Sequence, residues 1–116
     1  MANELHKTFI AEEYDLIFYT GKPLVDYEIE CENATFSGQV GYTMKIWEDG
    51  ESGRQLLSIV QGDGLRLSGT SIFVSTSSGQ MDIEPGRYYY EISYLVWGGY
   101  EILVKYGLAQ FIGRQI

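Results

Sequence analysis

Few residues in this 116-residue chain are of types that do chemistry, and their spacing argues against most of it. His6 is the only histidine and Cys31 the only cysteine. Lying near the start of the chain, that one histidine is poorly placed for a Ser-His-Asp arrangement, and alone it makes no zinc site of several histidines. Cys31 has no histidine neighbour and no helix start to lower its pKa, and it sits in an alternating apolar row, which reads as a small buried hydrophobe. Asp26, Glu28, Glu30 and Glu32 stand at every second position. On a strand they point the same way, about 7 Å apart. That is too wide for one calcium shell unless a second strand contributes, so the favoured reading is a solvated face that blocks edge-to-edge pairing. Asp49-Gly50-Glu51-Ser52-Gly53 lacks calcium-loop ligand spacing and reads as a plain loop. Phosphate-binding and dinucleotide-binding glycine patterns are missing; the glycines fall at turns instead. No catalytic residue, metal ligand or cofactor site is expected, and the chain is expected not to be an enzyme. Trp97-Gly98-Gly99-Tyr100 remains as the candidate interaction site. Its two aromatics either form a cross-strand pair that steadies a hairpin or project as an anchor for a partner.

The elements that would position these residues have a period of two nearly throughout. Val25, Tyr27, Ile29 and Cys31 alternate with the acidic row. Tyr42, Met44 and Ile46 alternate with Thr43, Lys45 and Trp47, and Tyr88, Tyr90, Ile92, Tyr94 and Val96 with Tyr89, Glu91, Ser93 and Leu95. Weaker strands cover Tyr14 to Tyr19, Gln55 to Val60, Ser71 to Ser75 and Tyr100 to Phe111. In the last, Ile102-Leu103-Val104 obscures the register and Gly107 invites a bulge. Turn signals separate the runs, Gly98-Gly99 most strongly, and Thr76 to Ile83 has room for one 3₁₀ turn. Short strands at this spacing predict a single all-β domain over residues 1–116, an antiparallel immunoglobulin-like β-sandwich of about seven to nine strands. Glu84-Pro85-Gly86-Arg87-Tyr88 has the form of a tyrosine corner, with Tyr88 bonding back to the backbone just upstream.

Charge narrows the partners. Sixteen acidic residues against eight basic give a net charge of −8, and the lysines and arginines are scattered from Lys7 to Arg114. Nucleic acid and anionic membranes are therefore not expected partners. No basic start followed by an apolar run marks a secretory signal, and no stretch approaches a membrane span. The sequon Asn33-Ala34-Thr35 carries little weight in that setting.

From Gly38 onward the order of blocks resembles a family. The blocks are Gly41-Tyr42-Thr43-Met44-Lys45-Ile46-Trp47, a Leu-rich strand from Gln55 to Val60, and Gly64-Leu65-Arg66-Leu67-Ser68-Gly69-Thr70-Ser71-Ile72-Phe73-Val74. Pro85-Gly86-Arg87-Tyr88-Tyr89-Tyr90-Glu91-Ile92 and Ile102 to Phe111 complete the series. The chain resembles the small immunoglobulin-like β-sandwich proteins of phage and prophage structural modules, which are tail- or virion-associated. The stretch from Pro23 to Phe36 departs from their pattern. The resemblance implies a structural or interaction role in a virion or in the cytoplasm of a bacterial host. Its implied partners are other phage structural proteins or further copies of this chain, in a homo-oligomer. The matching positions are core and turn residues, so they transfer no binding site. The tyrosines and tryptophans motivate one alternative, a carbohydrate-type ligand-binding module. An edge position for the strand from Tyr100 to Phe111 would favour assembly through that strand or through the Trp97–Tyr100 hairpin.

Overall fold

Alternating apolar and polar residues become strands in the computed structural model, which describes residues 11–31, 41–48, 53–95 and 101–113. The strands are β1 (Glu12–Glu13), β2 (Leu16–Tyr19), β3 (Tyr27–Glu30), β4 (Tyr42–Trp47), β5 (Gln55–Gln61), β6 (Gly64–Ser68), β7 (Ser71–Val74), β8 (Gly86–Leu95) and β9 (Glu101–Ile112). Among the described residues there is no helix. The segment expected to hold a 3₁₀ turn is a hydrogen-bonded turn, in which the Ser77 and Gln80 side chains each accept the other's backbone N–H.

The strands form one curled, mixed sheet in the order β1-β9-β8-β4-β5-β6-β7-β3, with β2 also paired to β9. Antiparallel pairing, the expectation, joins β3–β7, β4–β5, β4–β8, β6–β7 and β8–β9. It fails at β1–β9, β2–β9 and the short β5–β6 contact, which are parallel. The physical reason at the first two is that the N-terminal strands lie alongside β9 in its own direction. The same pairing corrects the expected edge: β9 has neighbours on both sides, and the sheet ends instead at β1 and β2 on one side and β3 on the other.

The inner face gathers Tyr42, Met44 and Ile46 of β4 opposite Tyr94, Ile92 and Tyr90 of β8. Tyr42 and Tyr94 stack at 4.9 Å. Phe18 packs between Tyr27 and Phe111, 5.4 and 5.5 Å away, and so ties both sheet ends to the core. Between β5 and β6 the chain turns sharply at Gly62 and Gly64, whose φ values are +90° and +101°. A Cβ at Gly64 would lie 2.7 Å from the Ser75 carbonyl oxygen, so only glycine fits that approach.

Two local departures matter for the site. The row begun at Val25 does not run as one strand: Asp26 has φ +48°, β3 starts at Tyr27, and Val25 is 80% exposed. In β9 the register opposite β8 steps from Lys105 to Leu103 across Ile92 and Ser93, so Val104 has no residue opposite it. This bulge reverses the in–out alternation, and Val104 and Lys105 are both buried.

Candidate functional site

Because the sheet curls, its two ends approach one another and leave a cleft of about 580 Å³ between them. One wall carries Glu12, Tyr14 and Leu16; the other is β3, with Tyr27, Glu28, Ile29 and Glu30; Lys105 of β9 reaches in between. We call this gap the seam.

Lys105 is its central group. The bulge at Val104 turns this lysine inward, where it is 4% exposed. A buried ammonium needs compensation, and Lys105 has three sources of it. Its Nζ donates to the backbone carbonyl of Glu30 across the seam. It lies 3.7 Å from a Glu12 carboxylate oxygen and 4.8 Å from the centre of the Tyr14 ring. Tyr14 is held in turn through its backbone: its N–H donates to the Tyr106 carbonyl at 2.9 Å, and its carbonyl accepts from the Tyr90 hydroxyl at 2.5 Å. Gly107 makes that approach feasible, because a Cβ there would overlap the Tyr14 carbonyl oxygen, and its φ is +155°. On the opposite wall Glu28 accepts a bond from the Ser71 hydroxyl at 2.6 Å. Among the described residues no buried side-chain polar atom lacks a hydrogen-bond partner.

Cys31, directly after β3, is fully buried. Burial pushes its thiol up to about 11, against a smaller opposing pull from Lys105. At neutral pH it is therefore a protonated, enclosed thiol, unsuited to nucleophilic work. Burial also raises the Tyr90 phenol well above its usual range. Among the described residues no group of three or more His, Cys, Asp or Glu side chains is arranged to hold a metal ion. Among the described residues there is no helix long and apolar enough to cross a membrane.

The residues expected from sequence are distributed unevenly. Trp97 and Tyr100, with their Gly98-Gly99 turn, lie outside the described residues, as do His6, Glu32, the sequon and Asp49 to Ser52 of the loop. Tyr88 donates its hydroxyl to the Glu84 carbonyl at 2.6 Å, a bond back to the backbone four residues upstream. Glu28 and Glu30 line the seam, whereas Asp26, in its left-handed turn, pairs with Arg66 at 3.4 Å on the outside. Sequence reasoning missed Lys105, Glu12 and Tyr14. The unbroken apolar run Ile102-Leu103-Val104 was the available signal, since a bulge within it changes which face Lys105 takes.

A second feature lies on the β2 edge. Ile17, Tyr19 and, on neighbouring β9, Leu108 are 54%, 47% and 43% exposed. Ile17 and Leu108 share a shallow groove with Arg87 and Gln110. Thr20 N–H donates to Ile112 carbonyl oxygen, which fixes the alternation of the parallel ladder. Leu16 and Phe18 face β9 with their backbone groups, and Ile17 and Tyr19 turn theirs away from it. No protein-family model matches the chain, and no curated protein is similar enough to count as a relative.

Proposed function

We propose that this chain is a non-enzymatic structural and interaction domain, of the immunoglobulin-like kind found in phage and prophage particles, that assembles through the free ends of its sheet. The observation that carries the reading is the β2 edge. Leu16-Ile17-Phe18-Tyr19 has no strand on its outer side among the described residues, bears no charge, and exposes Ile17 and Tyr19. Such an edge is a ready template for pairing with another chain, and soluble proteins normally blunt it with charge, proline or a covering loop. The immunoglobulin-like part draws support from the Tyr88–Glu84 bond, which has the geometry of a tyrosine corner. The phage part draws on the order of blocks from Gly38 onward. A buried, protonated Cys31 and carboxylates committed to structural contacts favour a role without chemistry.

The carbohydrate-type alternative would use Tyr14, which is 58% exposed at the seam. Sugar rings stack on open aromatic faces, and here the Lys105 ammonium already lies over the ring. The interaction reading is the better supported.

Substituting Ile17→Lys together with Tyr19→Lys tests it. The unaltered protein is expected to self-associate or to capture virion proteins at micromolar concentration in sedimentation equilibrium. The double variant should be monomeric, its stability changed by no more than about 0.5 kcal/mol. An unaltered protein that stays a monomer and captures nothing removes the reading. A gene neighbourhood without capsid or tail components removes its phage setting.

A further inference from the structure

We propose that the occupant of the β2 edge is a second copy of this chain, paired antiparallel about a two-fold axis at Ile17. This rests on the interaction reading above and deepens it by naming the partner, its direction and its register.

The backbone sets the register. In the parallel ladder Leu16 and Phe18 turn their N–H and C=O groups to β9, and Thr20 N–H continues the pattern by donating to the Ile112 carbonyl. Ile17 and Tyr19 therefore turn theirs away from β9. Tyr14 N–H also points to β9, so Asp15, between Tyr14 and Leu16, turns its backbone groups outward as well. Among the described residues nothing bonds either backbone group of Ile17, whereas the Tyr19 carbonyl already accepts the Lys22 N–H at 3.1 Å. A register that set Ile17 opposite Tyr19 of another copy would ask that carbonyl for a second bond at its centre. A register centred on Ile17 avoids this. The two Ile17 residues then exchange both of their bonds, and each Tyr19 N–H meets the Asp15 carbonyl opposite.

Charge sets the direction and the partner. β2 bears no charge, but Asp15 precedes it and Lys22 follows its last turn. The Asp15 carboxylate is held by Leu108 N–H at 3.1 Å, and the Lys22 ammonium stands 5.6 Å from the centre of the Tyr19 ring. Lys22 has no carboxylate partner among the described residues. With the axis at Ile17, Tyr19 lies opposite Asp15 of the second copy, which brings each Lys22 beside the other copy's Asp15. Opposite charges across strands stabilise a pair and like charges oppose it. A parallel pairing in register would instead set Asp15 against Asp15 and Lys22 against Lys22. The strand is thus complementary to itself in one direction only, in a chain whose net charge of −8 disfavours contact between copies. Between the two charge pairs, the exposed Ile17 side chains meet. Such a contact uses β2 once in each copy and closes at a dimer.

Cysteine cross-linking reads the register. The two Ile17 Cα atoms would lie about 5.5 Å apart, within reach of a disulfide, and the two Tyr19 Cα atoms about 14 Å apart. Under mild oxidation at micromolar concentration, Ile17→Cys is expected to form a covalent dimer and Tyr19→Cys to form none. In the unaltered protein, association should slow hydrogen exchange at the Ile17 and Tyr19 amides and leave Phe18, already bonded to β9, unchanged. Lys22→Glu should weaken self-association about tenfold in sedimentation equilibrium. Equal cross-linking of the two cysteine variants, no slowing at either amide, or undiminished association of Lys22→Glu overturns the proposal. If that happens while association through Ile17 and Tyr19 persists, or if the unaltered protein is a monomer that captures a virion protein through them, the second copy falls and the interaction reading stands. A monomer that captures nothing removes both.

Discussion

The two ends of the sheet are built on one plan and finished differently. β2 reads Leu16-Ile17-Phe18-Tyr19 and β3 reads Tyr27-Glu28-Ile29-Glu30, each four residues long with alternate side chains turned inward. Their inner positions are alike, because both must cover one core: Leu16, Phe18 and Ile29 are buried, and the Tyr27 ring packs on Phe18. Their outer positions are opposites, two open apolar side chains against two carboxylates. The inner half of an edge strand answers to packing, whereas its outer half chooses between shielding the edge and offering it. In this protein the shielded edge is the one whose backbone a lysine holds from inside the fold, and the offered edge is covered by nothing described.

That contrast can be broken at several points. The largest effect is expected at Gly107, where the N-terminal edge is laid against β9. Gly107→Val places a branched side chain on the Tyr14 carbonyl at φ +155° and should cost about 3 kcal/mol or more. An unmoved urea midpoint would mean that the edge does not cross there. Next is Lys105→Met, which keeps the length of the side chain and removes the charge. It deprives the Glu30 carbonyl and the Glu12 carboxylate of a shared partner, at a cost of about 2–3 kcal/mol. Cys31 should then react faster with a thiol reagent, while Ile17→Lys leaves its rate unchanged; equal rates in all three proteins would separate Lys105 from the β3 end.

Alkaline pH should loosen the same end. The folded-state Cys31 pKa of about 11 lies above its ordinary value of 9.0. Above pH 9 the unfolded chain therefore holds fewer protons than the folded one, and stability falls as pH rises. The contribution is intact below pH 9 and amounts to about 2 kcal/mol lost by pH 11. Urea midpoints measured from pH 7 to 10.5 should bend downward from pH 9, and Cys31→Ala should remove the part of the bend below pH 10. A variant with the same profile as the parent would show that the thiol is not enclosed. The smallest change in stability, within about 0.5 kcal/mol, is expected from Glu30→Val. Its effect should appear instead as stronger self-association by light scattering, since β3 then resembles β2. A variant no more associative than the parent would mean that the carboxylate does not shield the edge.

Much of the fold was legible because side-chain alternation is a local property. Tyr42, Met44 and Ile46, and Tyr90, Ile92 and Tyr94, fall inward as their period requires. Reading failed where geometry depends on distant partners. β6 went unseen because it is short and has only two apolar residues, Leu65 and Leu67, between turn glycines, although its place is fixed by β7 and by the tight approach of Gly64 to Ser75. Val25 seemed to extend a dry face, but Asp26 takes a left-handed turn, its N–H bonded to the Ser75 hydroxyl. The seam was invisible for the same reason. Its acidic row could be read from Glu28 and Glu30, yet Glu12, Tyr14 and Lys105 are brought beside them only by the curl of the sheet and by one residue of bulge.

The parallel pairing of β2 with β9 also sets a timetable. Asp15 and Leu108, bonded where these strands meet, are 93 residues apart in the chain. Closing a loop of that length costs about 4 kcal/mol of entropy, plus a constant, before any pairing offsets it. During synthesis Leu16-Ile17-Phe18-Tyr19 leaves the ribosome long before β9 exists, with neither side of its backbone occupied by the strand it finally joins. Contacts so distant in sequence make for slow folding. For that interval the most apolar edge of the molecule is exposed to every neighbouring nascent chain, so the yield of native protein should depend on translation rate and on chaperone supply more than its finished stability would suggest.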